Sequence, residues 1–188
     1  MAESLAIATA NGPLAGLTLP ASPGRVTVTE AGPSARFLYR GDPAAAAAAF
    51  GISLPVEPCQ AAGEPGGRVA LWLGPDEWLL LAPVTEAQAT RNALRQATAG
   101  GGGCAVDIGH RHAGLSVTGP AAATLLNSGC PLDLHVSAFP AGMCARTLYA
   151  KAEIVLWRTA AEAFRVEVWR SFAPYLIGHL AAAIEDTV

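Results

Sequence analysis

Asp107, His110, Arg111 and His112 form the densest local cluster of side chains able to do chemistry in this 188-residue chain. Side chains two apart on a strand share a face, so His110 and His112 would point the same way and could ligate a metal with help from Asp107. No cysteine or third histidine is placed to complete the set, and a polar edge beside a partner accounts for the same residues, so no metal ligand is assigned. His135 and His179 stand alone and are expected as surface or satisfied core residues. Gly100 to Ala105 has the G-x-G-x-x-G/A spacing, yet it follows a helical pattern and leads into a strand. A dinucleotide fingerprint needs the opposite order, so that the pyrophosphate meets a helix N-terminus; the run is expected to be a flexible joint.

The remaining reactive types are equally quiet. Cys130 follows Gly129 at a helix C-terminus, where the macrodipole opposes thiolate formation, and is expected to pack. Together with Cys59, Cys104 and Cys144 it forms no C-x-x-C pair, as in a reducing compartment. Glu153 and Glu167 could approach each other if their strands pair, but nothing supplies a desolvated pocket to split their pKa values, and a solvated or interface pair is expected. The sequence therefore assigns no catalytic, cofactor-binding or metal-binding residue. Trp78 and Trp169 stand near the ends of predicted hairpin strands, and Trp169 falls on the polar side of its alternation beside Arg170. Exposed Trp and Arg are enriched in interface hot spots, so Trp78, His110, Arg111, Trp169 and Arg170 are the expected partner-contact residues.

The elements that carry these residues come in two similar sets. Val69 to Pro83 and Thr147 to Phe172 share a plan: an apolar run ending in Leu-Trp (Leu71-Trp72, Leu156-Trp157), a polar turn, and a second apolar run leading toward a helix. Upstream, the run through Tyr39 to Gly41 matches the run through Val117 to Gly119, each followed by proline and alanines. The offset is 78 positions from Gly41 to Gly119 and 85 from Trp72 to Trp157, so a loop must absorb the difference. Two copies predict a pseudo-duplicated domain, since a solenoid needs at least three repeats.

In the first copy, Arg25–Thr29 and Ala35–Tyr39 read as strands. Asp42 caps a helix with Pro43 at its first position and Gly51 at its stop. Strands follow at Arg68–Leu73 and Glu77–Ala82, and Thr85 with Gln88 makes a capping box for a helix reaching about Ala99. In the second copy, Ala105–Asp107 and Gly114–Val117 read as extended, Pro120 starts a helix stopped by Gly129, and strands fall at Arg146–Tyr149, Glu153–Arg158 and Phe164–Trp169. A last helix carries Phe172, Leu176, Leu180 and Ile184 at intervals of four, with Ser171 as its cap. The fold class is α+β, with two β-α-β-β-α halves at about 25–99 and 104–188 forming a single domain over 25–188. Residues 1–24 form an N-terminal extension.

Composition sets the outer bounds. With 52% apolar and 14% charged residues, the chain can build one sizeable core. Its low charge and positive mean hydropathy fit either an exterior partly covered by a partner or plain alanine richness. A net charge of −3 with scattered Lys and Arg excludes a basic stripe for nucleic acid. No apolar run is long enough to cross a membrane, and the N-terminus lacks the basic start of a secretory signal, so a cytoplasmic location is expected.

The segments Asp107–Leu134, Phe139–Arg158 and Phe164–Leu176, with Leu73–Leu81 upstream, resemble the gamma-subunit family of heterotetrameric sarcosine oxidases over most of the chain beyond about Arg25. The resemblance implies a fold akin to the folate-binding region of the glycine-cleavage T-protein. It also implies a noncatalytic structural role in a flavin-dependent complex that demethylates sarcosine to glycine. The partners would be alpha, beta and delta subunits, chiefly alpha. FAD, FMN, NAD, tetrahydrofolate and zinc would reside on those subunits and none on this chain. Two rivals stand beside it: the equivalent subunit of a related N-methyl amino acid demethylase, and a free-standing folate-binding aminomethyl-transfer protein.

Overall fold

The structure, a computed structural model, describes residues 12–187. Along the chain run β1 (Ala21–Ser22), β2 (Val26–Glu30), β3 (Ser34–Gly41), α1 (Pro43–Phe50), β4 (Ala61–Gly63), β5 (Val69–Gly74), β6 (Glu77–Pro83) and α2 (Ala87–Thr98). After them come β7 (Gly103–Asp107), β8 (His112–Thr118), α3 (Ala122–Asn127), β9 (Cys144–Tyr149), β10 (Ala152–Ala160), β11 (Ala163–Trp169) and α4 (Ala173–Thr187). Two antiparallel sheets result, ordered β1-β2-β8-β11-β10-β9 and β4-β5-β6-β3-β7.

Alternation along the strands sorts side chains into three apolar layers. Val166 and Val168 of β11 and Leu115 and Val117 of β8 meet Leu125 of α3 and Leu176 and Leu180 of α4. Phe37, Tyr39, Trp78 and Leu80 of the other sheet meet Phe50 of α1 and Leu94 of α2. Between the sheets lie Val69, Leu71, Leu79 and Leu81 against Cys144, Val155 and Trp157. The order is helices, sheet, sheet, helices, and both faces of each sheet are covered.

The two halves exchange their first strands. β2 leads into β3 by a short turn but pairs with β8, matching Val28 to Val117. β7 leads into β8 in the same way but pairs with β3, matching Leu38 to Val106. Each half is thus ββαβββα rather than the expected βαββα, and each sheet is completed by the other half. At the points of exchange sit Gly41 and Gly119, with φ of 139° and 121°. A Cβ on Gly41 would lie 2.8 Å from Gly103 Cα, and one on Gly119 would lie 2.4 Å from the Arg25 carbonyl oxygen. The two glycines do the same job: each lets the incoming strand of the other half approach.

The first helix forms as its sequence dictates. Asp42 accepts from the Ala44 N–H at 3.0 Å, Pro43 opens α1, and Gly51 closes it with φ 80°. Other expectations need correction. A 3-10 turn over Val84–Glu86 precedes α2, and no side chain caps that helix, so Thr85 and Gln88 make no capping box. A second 3-10 turn, Arg170–Phe172, precedes α4 and leaves Phe172 exposed instead of on the buried stripe. The last glycine of the Gly100–Gly103 run belongs to β7 and packs against Gly41. Residues 1–11 of the expected extension lie outside the described residues. The rest is built in: Leu14 is buried with Leu17 and Leu19 beside it, and β1 pairs with β2. Leu71-Trp72 and Leu156-Trp157 do fall in corresponding strands, β5 and β10. They are one position out of phase, because Leu71 and Trp157 face the other sheet while Trp72 and Leu156 face the helices.

These glycine roles are separable by experiment. Gly119→Ala, forced into a positive φ against the Arg25 carbonyl, is expected to destabilise the chain by at least about 2 kcal/mol. Gly178→Ala, on an exposed position of α4 with nothing near its Cβ direction, is expected to stabilise by up to about 1 kcal/mol. Denaturant melts of both variants check this, and equal effects would remove the strand-approach argument.

Candidate functional site

The turn between β7 and β8 and the junction from β11 into α4 are brought together by the pairing of β8 with β11. Ile108 N–H donates to the Arg36 carbonyl at 2.9 Å, anchoring β7 on β3, and Arg111 N–H closes the turn on the Ile108 carbonyl at 2.9 Å. Trp169 pairs with His112 across β11 and β8. Arg170 N–H then donates to the Arg111 carbonyl at 2.7 Å. The Arg111 guanidinium carbon sits 4.0 Å from the centre of the Trp169 ring, a stacked cation–π contact. His110, Arg111, Trp169 and Arg170, with Ser171 and Pro174, line an open basin of about 500 Å³.

Four of the five expected contact residues therefore share one surface. Trp78 does not. It has no exposed surface, and its indole N–H donates to the Pro55 carbonyl at 2.7 Å. The alternation of β6 puts Trp78 with Leu80 and Ala82 on the face that meets α1 and α2, so it is a core residue.

Beneath the basin, between the sheets, is a cavity of about 40 Å³ bordered by Ile108, Arg111, His112 and Trp169. His112 is 8% exposed, and its Nδ1 has no hydrogen-bond partner. Burial holds its pKa below the ordinary histidine value; the negative charge of Glu167 pulls it upward and Arg111 pushes it down again. Close by, Arg36 Nε donates to Glu167 Oε2 at 2.6 Å, and Arg165 Nε donates to Glu167 Oε1 at 2.7 Å. Arg36 belongs to one sheet, Glu167 and Arg165 to the other. Gly114, paired with Glu167 in register, leaves the room: a Cβ there would lie 2.8 Å from Arg36 Nη2 and 2.9 Å from Glu167 Oε1.

This cluster corrects the reading of Glu153 and Glu167 as a solvated or interface pair. Val155 stands opposite Glu167, Glu153 is exposed, and Glu167 is 1% exposed and neutralised by guanidiniums. The one signal in the sequence for a buried acid is Arg36, a charge embedded in the apolar run Ala35–Tyr39, and it was not used. Cys144 is buried, and burial pushes its thiol up to about 12, far from a nucleophile's range. Cys130 is buried as a packing residue. Among the described residues, no group of three or more His, Cys, Asp or Glu is placed to hold a metal ion.

Comparison with known proteins adds a family. Residues 39–186 match the model of the sarcosine oxidase, gamma subunit family. Sarcosine oxidase subunit gamma from Corynebacterium sp. (strain U-96) is 36% identical over 143 residues, covering 76% of this chain and 69% of that one. The Arthrobacter sp. subunit gamma is 38% identical over 123 residues, covering 65% and 60%. Among solved structures, a chain of the heterotetrameric sarcosine oxidase from Corynebacterium sp. U-96, in complex with pyrrole 2-carboxylate, matches with a TM-score of 0.86 at 32% identity. The match covers 94% of this chain and 95% of that one. The glycine cleavage system aminomethyltransferase T from Bartonella henselae matches at a TM-score of 0.63, with 14% identity over 84% of this chain and 45% of that one, a likeness of fold.

Two measurements test the interior. Glu167→Gln strands Arg36 and Arg165 between the sheets and is expected to cost about 3–5 kcal/mol in denaturant melts. A cost below about 1 kcal/mol would mean the cluster is solvated. For His112, the folded pKa lies below the unfolded value of about 6.5. The unfolded chain therefore takes up the proton first as pH falls, and this contribution to stability is complete above about 6.5 and declines below it. Melts at pH 7, 6 and 5 should show His112→Gln flattening that decline, and parallel curves for the two proteins would refute it.

Proposed function

Because this chain belongs to the sarcosine oxidase gamma-subunit family, we propose that it serves as a noncatalytic structural subunit of a heterotetrameric sarcosine oxidase, the complex that demethylates sarcosine oxidatively to glycine. The observation that carries the reading is the continuity of the match: one fold covers 94% of this chain and 95% of a chain of the Corynebacterium complex, at 32% identity. Its partners are alpha, beta and delta subunits, with alpha as the principal contact. FAD, FMN, NAD, tetrahydrofolate and zinc reside on them.

The residues of this chain support placing those groups elsewhere. Its glycine-rich run passes from α2 into β7, and Gly103 is spent on packing against Gly41, so it presents no helix N-terminus to a pyrophosphate. The interior carboxylate Glu167 is 1% exposed and held by two arginines, out of reach of a substrate. The inter-sheet cavity of about 40 Å³ has room for ordered water and not for a flavin or a pterin. What remains outward is the corner of His110, Arg111, Trp169 and Arg170, made of the residue types that anchor interfaces. Assembly is the role these features fit.

The purified chain is expected to be colourless and to release no peroxide from sarcosine. In the co-expressed complex, Trp169→Ala or Arg170→Ala is expected to weaken retention of this subunit by roughly 2 kcal/mol, while the melting temperature of the isolated chain changes little. Stoichiometric flavin absorbance in the isolated chain would overturn the noncatalytic reading. Undiminished assembly of both variants would remove the contact assignment.

A further inference from the structure

Most arginines of this protein are spent internally. Arg36 and Arg165 hold Glu167; Arg40 pairs with Asp76, Arg68 with Glu86, Arg91 with Asp107 and Arg146 with Glu77. The Arg158 guanidinium donates to the carbonyls of Leu134 and Phe139. Four arginines have neither an acidic partner nor a side-chain hydrogen bond among the described residues: Arg25, Arg95, Arg111 and Arg170. Two of these, Arg111 and Arg170, meet at the same basin, tied by the hydrogen bond from the Arg170 N–H to the Arg111 carbonyl. Among the described residues, no Asp or Glu lines that basin. Asp107, at the end of β7, is committed to Arg91.

From this convergence of uncompensated charge we infer that the corner recognises an acidic segment of a partner subunit, with carboxylates seated on Arg111 and Arg170 and an apolar side chain on Trp169. This rests on the assembly reading above and specifies the chemistry of the surface. Stacking on Trp169 holds the Arg111 guanidinium in one plane and leaves its N–H edge free for a two-toothed grip on a carboxylate. The 3-10 turn runs directly into α4, whose first turn carries Pro174 at the basin, so the helix dipole adds positive potential of the same sign. Trp169, which lines the basin, is 36% exposed and gives the apolar contact that interface anchors need. The basin is wide open, whereas small-molecule sites bury most of their ligand; a protein segment covers such a surface and a free metabolite does not. In a chain of net charge −3, an isolated basic corner also sets the direction of approach.

The test uses the co-expressed complex with charge reversals at four positions of this subunit. Arg111→Glu and Arg170→Glu are expected to lower the affinity of the subunit for the rest of the complex at least about 100-fold when combined. Arg25→Glu and Arg95→Glu, equally unpaired but elsewhere, should leave it unchanged. Raising salt from about 50 to 500 mM should weaken wild-type assembly about tenfold or more and weaken the double variant far less. Melts of each isolated variant confirm that it folds. Equal assembly of the Arg111/Arg170 variant and wild type, or equal salt sensitivity, overturns the inference while leaving the assembly role standing. Salt-sensitive self-association of the isolated chain through these residues overturns it in favour of a second copy. A wild-type subunit that never co-purifies overturns the assembly role and this inference together.

Discussion

A single carboxylate, that of Glu167, holds the two sheets in one relative position. Buried between them, it would cost several kcal/mol if left alone, and the guanidiniums that neutralise it come from both sheets: Arg165 from its own strand and Arg36 from β3 opposite. Apolar layers such as Leu79 against Val155 tolerate small slides, but a hydrogen-bonded ion cluster does not. Gly114 is part of the same arrangement, because any side chain there would occupy the space of the ion pair. Arg36 carries the constraint outward. Its carbonyl accepts from Ile108, which fixes the start of the turn holding His110 and Arg111, and Trp169 follows Glu167 by two residues on β11. Interior charge and exterior corner are therefore positioned by the same short pieces of chain.

Exchange of β2 and β7 supplies the second constraint. Neither sheet is complete without a strand from the other half, so the duplicated units are interlocked rather than placed side by side. Loss of one exchanged strand would expose an edge of a buried strand, with its unpaired backbone groups. The pairs concerned, such as Val28 with Val117 and Phe37 with Asp107, are widely separated in sequence. Closing them costs chain entropy that local hairpins avoid. The hairpins β5–β6 and β10–β11 can form locally, whereas the exchange must come with the sheet-to-sheet packing.

That division marks what was legible in the sequence. The limits of α1 followed from Asp42, Pro43 and Gly51, and the hairpins from apolar runs broken by short polar turns. Four residues of the exposed corner were legible because Trp169 and its neighbours sit at a strand end. Local pattern could not show that the polar side of β11 faces a second sheet, and Glu167 was misread for that reason. The same blindness to layers misplaced Trp78, which opens the unbroken apolar run Trp78–Ala82, buried on both faces, so that no polar side marks which residues meet the helices. Strand exchange left no local trace, although Gly41 and Gly119 marked where it happens. The matched Leu-Trp pairs do lie in corresponding strands, β5 and β10, yet one pair is offset by a position, and in a strand that reverses the facing of every side chain.

The electrostatics of the interior shape those of the surface. His112 stands between Glu167 and the basin, and burial keeps it neutral near pH 7, so it adds no charge to the corner under those conditions. The guanidiniums that project there belong to Arg111 and Arg170, beside the imidazole of His110. Exposed charges of this kind are screened by salt, so the field of the corner responds to ionic strength. Neutralising Glu167 from within has a further effect: with Arg36 and Arg165 committed to it, the buried acid does not draw Arg111 or Arg170 inward. Sequestering the carboxylate with its own arginines leaves the outer pair without an acidic partner among the described residues.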